Sequence, residues 1–324
     1  MKTRNEDKPA SQLASSKTTL ILGAGASRPY GFPTAAELRE ILVHKQARKV
    51  GAIVESIGAS VEIWDTAVRF LLARHGDEAL KRFQHELFWA QTESIDEFAQ
   101  KRGEPFATIA RHAVAAIFLQ CESSAYLDGN WYRLLRRFVL QDEPKLPDER
   151  LQVITFNYDR SWEVFFWRAI QYTFGLQPGV AYEILAKLPV HHVYGSLGEL
   201  RDGSKGTVVE WAETKPEAME AAAESLHLVS PLTQGLPDSV SEFLCDSEFV
   251  FFLGFGFWPD NIALVAPHIS ESNAIFASNH NLPRLTEQQV SSQFRQLKWG
   301  QGWTVEECLR EWNVLPLASK WGRV

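Results

Sequence analysis

The feature that most constrains this chain is a set of five short runs, most of them apolar on both faces: TTLILG at 18 to 23, LQVITFN at 151 to 157, VHHVYG at 190 to 195, EFVFFLGFG at 248 to 256 and NAIFAS at 273 to 278. A strand with one wet face alternates apolar and polar residues, whereas a run without alternation has to be covered on both sides. The runs are short and rich in β-branched and aromatic residues, which suits strands. They predict an α/β fold: a Rossmann-like, doubly wound, mostly parallel sheet with helices on each face.

Well over a hundred residues separate the first run from the second, and their apolar residues recur at three- and four-residue spacing. TAAELREILVHKQARKV, VEIWDTAVRFLLARHG, DEALKRFQHELFWAQ, SIDEFAQKRG, ATIARHAVAAIFLQCESS and NWYRLLRRFVLQ all read as helices. A crossover between parallel strands normally needs one helix, so this much helix predicts an inserted helical subdomain at about 35 to 145, ending in the linker QDEPKLPDER. A smaller insertion is expected at about 199 to 240, where small and polar residues dominate, and residues 1 to 17 read as a flexible tail.

Composition excludes several classes. No stretch reaches the eighteen or so uncharged apolar residues of a spanning helix, and the polar N-terminus lacks a secretory apolar segment, so a cytoplasmic protein is expected. Cys121, Cys245 and Cys308 are too scattered for a disulfide framework or a zinc site, so no metal is expected. A net charge of −7 argues against general nucleic-acid binding, and Arg133, Arg136 and Arg137 read as a solvated helix face. The 11 tryptophans read as core or oligomer-contact side chains. The C-terminal Leu309, Trp312, Val314 and Leu317 either close the core or dock on a neighbour.

Chemistry-bearing residues stand at the ends of the apolar runs. After the first comes GAGASRPYGFP, where Gly23 and Gly25 with Ala24 and Ala26 let backbone N–H groups face a pyrophosphate and Ser27 adds a hydroxyl, or where the glycines simply make a tight corner. The third glycine of the dinucleotide fingerprint and its ribose-binding acid are absent, as is the G-K-[ST] of a P-loop. After the second run come Asn157 and Asp159, either ligand-facing groups at a strand's carboxyl end or a turn residue and a helix cap. The third presents His191, His192 and Tyr194, and alternation puts His192 and Tyr194 on one face. The fourth enters the glycines Gly254 and Gly256.

In this order the four stretches resemble the sirtuin-like family, the NAD-consuming domain of silent information regulator two type. The family pattern is a G-A-G-A/I-S turn with G-[IF]-P, a [ST]-x-N-x-D segment followed by a Glu, an H-G-S/N strand end and a G-x-[GS] loop. Here these stand as GAGAS and GFP, TFNYD with Glu163, VYGSLG, and LGFGF, across roughly 18 to 280. SIDEFA at 94 to 99 is similar to a segment of the bacterial branch that acts in defence against phage. The resemblance implies one NAD-binding domain over 18 to 324. Its pyrophosphate would lie on Gly23, Ala24, Gly25, Ala26 and Ser27, and its nicotinamide end on Asn157 and Asp159. Phe32, Pro33, Thr155, Gly195, Ser196, Gly254, Phe255 and Gly256 would line the pocket, and Asn279 would meet the adenosine ribose.

Two departures shape the expected activity. Three scattered cysteines cannot build the four-cysteine zinc ribbon of family deacylases, so hydrolysis of NAD ranks above protein deacylation. The catalytic histidine that precedes the glycine in the family is Tyr194 here. His192, about 7 Å away along an extended strand, is then the expected base, with Tyr194 as a ribose or water positioner and His191 in reserve. The expectation is an NAD hydrolase, with an NAD- or ADP-ribose-sensing module as the alternative. The family's habits imply control by homo-oligomerisation or by a HerA-like ATPase or Argonaute-type partner.

Overall fold

The computed structural model describes residues 16–43, 55–56, 61–140, 150–200, 207–228 and 235–312. The expected tail through residue 15, the linker at 141–149, and Val314 and Leu317 lie outside the described residues.

Five of the six strands among the described residues are the five runs. β1 (Thr18–Leu22), β2 (Leu151–Thr155), β3 (Val190–His192), β4 (Phe249–Leu253) and β5 (Ala274–Asn279) are joined by β6 (Lys298–Gln301). All pair in parallel in the order β3-β2-β1-β4-β5-β6. β1, β2 and β4 are buried at every residue, which is why they carry no alternation. β6, KWGQ, is an edge strand with one buried residue and gave no apolar run to find.

This order makes the fold Rossmann-like. The chain steps outward from β1 to β2 and β3, then returns to start β4 on the opposite side of β1. The crevice between the carboxyl ends of β1 and β4 is therefore the topological switch point, the place where open α/β sheets bind ligands. Register aligns Leu22, Thr155 and Leu253 in neighbouring strands, with His192 beside Thr155.

Between β1 and β2 the described residues are largely helical, including Val61–His75, Asp77–Ala90, Ile95–Arg102, Phe106–Ser124 and Asn130–Val139. These helices share one continuous hydrophobic cluster with the sheet. The helix Pro216–Glu224 of the second insertion packs on Phe106–Ser124. At the C-terminus Leu309 is buried, and the Trp312 ring lies 5.3 Å from Phe276 and 6.1 Å from Phe251, so these two residues close the core. Among the described residues no helix is long and apolar enough to cross a membrane.

A buried ion pair ties both insertions to the sheet. Arg160 donates from Nε to Glu122 Oε1 at 2.9 Å and from Nη2 to Oε2 at 2.7 Å. Its Nη1 donates to the carbonyls of Gly198 (3.2 Å) and Val209 (2.6 Å), while Glu122 Oε2 also accepts from Ala212 N at 3.0 Å. Both side chains are almost wholly buried, so losing one partner strands the other's charge. Glu122→Ala is expected to cost about 3–5 kcal/mol in denaturant unfolding. Asp246→Ala, which breaks the exposed Lys17–Asp246 pair, is expected to cost less than about 1 kcal/mol. Equal losses in the two variants would show that burial of the pair carries no special weight.

Candidate active site at the carboxyl edge

The glycine turn after β1 comes close to another loop. A Cβ on Gly23 would lie 2.6 Å from Gly254 O, one on Gly25 2.9 Å from the same oxygen, and one on Gly254 2.0 Å from Ala26 N. Gly254 also has a φ of +59°, a conformation that disfavours a side chain. Gly23 N donates to Leu253 O and Gly25 N to Gly254 O, each at 3.0 Å. The expectation that this whole turn offers its N–H groups to a pyrophosphate is corrected at three residues: parallel β1 and β4 bring the loops backbone to backbone and use the Gly23 and Gly25 donors, and Ala26 N donates within the turn to Gly23 O at 2.9 Å. Trp131 Nε1, donating to Ala26 O at 2.8 Å, fixes the turn from the helical side.

The loop after β2 is anchored on that turn. Asn157 Nδ2 donates to Gly23 O at 3.0 Å and to Ser27 Oγ at 2.9 Å, and Asn157 N donates to Thr155 Oγ1 at 3.1 Å. Asp159 Oδ1 accepts from Ser161 N at 3.1 Å and from the Ser161 hydroxyl, an Asx turn that leads into the helix Ser161–Phe174, whose N-cap position is Arg160. Burial pushes the Asp159 carboxyl above its usual range, against the pull of the Ser161 hydrogen bond.

His192 sits under this loop. Its Nδ1 lies 3.0 Å from Asn157 O and its Nε2 2.6 Å from Glu163 Oε1, so each nitrogen faces an acceptor. Burial pulls the imidazole pKa down, but the charge and hydrogen bond of Glu163, the Asn157 carbonyl and the charge of Asp159 together raise it above 6.5. With a carbonyl against one nitrogen and a carboxylate against the other, no ring nitrogen is left free to take a proton from a water, which is the position the expected neutral base needs. His191, half-buried on the other side of the strand, has its pKa lowered by burial and by the neighbouring His192.

His192 and Tyr194 do not share a face. β3 ends at His192 and the chain turns through Gly195 at φ +74°, so strand alternation stops before Tyr194. The Tyr194 hydroxyl donates to Asn261 Oδ1 at 2.6 Å, on the helix Pro259–Val265 that follows β4. Tyr158 donates to Asp96, the first of the two acids in SIDEFA, whose carboxyl burial pushes up to about 6 although the Tyr158 bond pulls it down.

The remaining expected residues are spread along the edge. Phe32 and Pro33 are buried, with the Phe32 ring 6.1 Å from Phe118. Gly195 packs against Ser225 O, and Ser196 follows it on the turn toward the second insertion. Phe255 is buried and Gly256 exposed in the loop after β4. Asn279 lies two strands from β1, where its Nδ2 donates to Glu287 Oε2 at 3.1 Å and its Oδ1 accepts from Leu282 N at 3.3 Å. Sequence reasoning did not single out Arg160, Glu122, Trp162 or Asn261. Glu122 carried a faint signal as the one acid in the helix FATIARHAVAAIFLQCESS.

Behind Asn157 lies a cavity of about 10 Å³, lined among others by Asp159, Trp162, Glu163 and His192 and large enough for one water molecule. Asn157 Oδ1, Asp159 Oδ2, Glu163 Oε2 and Trp162 Nε1 are buried with no hydrogen-bond partner in the protein, and all four residues line it. Buried polar groups are rarely left unmatched, so a crystal structure is expected to show one ordered water bridging Trp162 Nε1 and the carboxylate and amide oxygens. A dry cavity would refute this.

The raised pKa of His192 gives a signed pH dependence. Its contribution to stability is full below the unfolded value of about 6.5 and is lost as pH rises through the folded value. Glu163→Gln is expected to lower the His192 pKa, read by NMR titration, and to flatten that part of the stability profile. An unmoved titration would disprove the pairing.

Compared with known proteins, the chain matches no family model and no curated protein.

Proposed function

We propose that this chain hydrolyses NAD at the bond between nicotinamide and ribose, giving nicotinamide and ADP-ribose. The observation that carries the reading is the gathering of four motifs, far apart in sequence, around Asn157 at the carboxyl edge beside the switch point. Asn157 Nδ2 bonds both Gly23 O and Ser27 Oγ. That edge is where an open α/β sheet takes a nucleotide.

The chemistry suits such a site. Nicotinamide leaves a cationic pyridinium as a neutral molecule, so the leaving group needs no proton. What remains is to orient a water, stabilise an oxocarbenium-like ribose and accept one proton as the C–O bond forms and the C–N bond breaks. Asn157 is the orienting amide. Asp159, with an unpartnered Oδ2 and a raised pKa, suits the proton acceptor. His192 holds the Asn157 carbonyl from below and acts as a positioning residue.

An unchecked NAD hydrolase would drain its own cell. The proposal therefore carries control by self-assembly or by a partner, a HerA-like ATPase or an Argonaute-type protein, in antiphage defence. A second reading, an NAD- or ADP-ribose-sensing module, is favoured by one observation: both His192 nitrogens and the Tyr194 hydroxyl are already engaged within the protein.

Incubation with NAD and separation of products by mass decides between them. Hydrolysis is expected to release nicotinamide and ADP-ribose, and Asn157→Ala to lose at least about 100-fold, the scale seen when one positioned polar group of a catalytic site is removed. Tight NAD binding without nicotinamide release favours the sensor. Full turnover by the Asn157 variant removes the assignment.

A further inference from the structure

The switch-point crevice is filled by the protein's own side chains. An aromatic row runs along the carboxyl edge from β3 toward β4: Tyr158 to Tyr194 at 6.4 Å between ring centroids, Tyr194 to Phe156 at 6.1 Å, and Phe156 to Phe255 at 5.0 Å. All four rings are buried, between 5% and 9% exposed. The row is pinned by the Tyr158–Asp96 hydrogen bond and by the 2.6 Å bond from Tyr194 to Asn261.

The second bond crosses the crevice. Tyr194 follows β3 and Asn261 follows β4, and these strands are separated by β2 and β1 in the sheet. Three strand spacings amount to about 14 Å, so the two flanking loops lean inward over the ends of β2 and β1 to meet.

The two pins differ in firmness. Asp96 lies in the first turn of the helix Ile95–Arg102, which Ile95 and Phe98 seat in the core. Asn261 lies in the first turn of a seven-residue helix whose N-cap Trp258 and first residues Pro259 and Asp260 are exposed. In the same loop Phe257 holds a φ of +55°, a strained conformation for a side-chain-bearing residue. A neutral hydrogen bond at the edge of solvent is readily exchanged for bonds to water. The Asn261 side is therefore the one built to release.

We propose that the Tyr194–Asn261 hydrogen bond is a latch that keeps the switch-point crevice shut in the resting protein, and that a ligand arriving at the carboxyl edge has to break it. This rests on the NAD reading only for the identity of the ligand. The departure at Tyr194 from the sirtuin-like pattern then has a physical role of its own: its hydroxyl reaches across to Asn261.

The test uses the full chain and begins without ligand. Hydrogen–deuterium exchange is compared in the wild type, Asn261→Ala, Tyr194→Phe (which keeps the ring) and the double variant, with overall unfolding midpoints as a control for folding. Amides at 254 to 261 are expected to exchange about two- to tenfold faster in each single variant, the factor one net hydrogen bond supplies, and no faster in the double. NAD binding, measured by calorimetry, is expected to tighten by the same factor. Unchanged exchange in both single variants overturns the latch, as does additive acceleration in the double. Faster exchange with no NAD binding by any variant supports the latch and removes the NAD reading. Unchanged exchange alongside NAD binding removes the latch and leaves that reading standing.

Discussion

The arrangement of this protein depends on one buried guanidinium. Arg160 follows Asp159 directly, and its planar fork reaches the Glu122 carboxylate and the carbonyls of Gly198 and Val209. It thereby joins the long insertion helix, the loop carrying Asn157, the turn after β3 and the second insertion. A lysine, with a single point of charge, could not span those acceptors. Because the pair is closed off from water, the segments around it hold one relative position, and the Asn157 loop inherits its geometry from them.

That fixed loop is pressed between two others. On one side Gly23, Gly25 and Gly254 interlock backbone to backbone, so the glycines serve close packing between β1 and β4 before they serve any ligand. On the other side His192, bonded through its second nitrogen to Glu163, holds the Asn157 carbonyl from below. The carboxyl edge is thus assembled from short-range contacts between distant segments, with few polar atoms left open. Those that remain unmatched line one small cavity beside Asn157.

Much of the fold was legible. β1, β2 and β4 appeared as apolar runs because strands buried on both faces must be apolar throughout, whereas the edge strands need not be: the half-buried β3 carries two histidines, and β6 was missed. The helical character of the stretch from 61 to 139 followed from its 3.6-residue period. The site was legible only in part. Asn157, Asp159 and Ser27 were picked out and do line one cavity, since polar residues beyond strand ends stand out against apolar runs. The pairing of His192 with Tyr194 failed because β3 is only three residues long, and alternation has no hold beyond a strand's end.

The amino-acid pattern alone was enough to mark the buried strands, the helical stretches and a covered, parallel sheet, because burial on two faces leaves a composition that can be read locally. Tertiary structure alone decided what each polar group meets. Arg160 with Glu122, His192 with Glu163 and Tyr194 with Asn261 join residues 38, 29 and 67 positions apart. A hydrogen bond depends on direction and a separation near 3 Å, and no local pattern encodes which distant acceptor the packed core will bring that close.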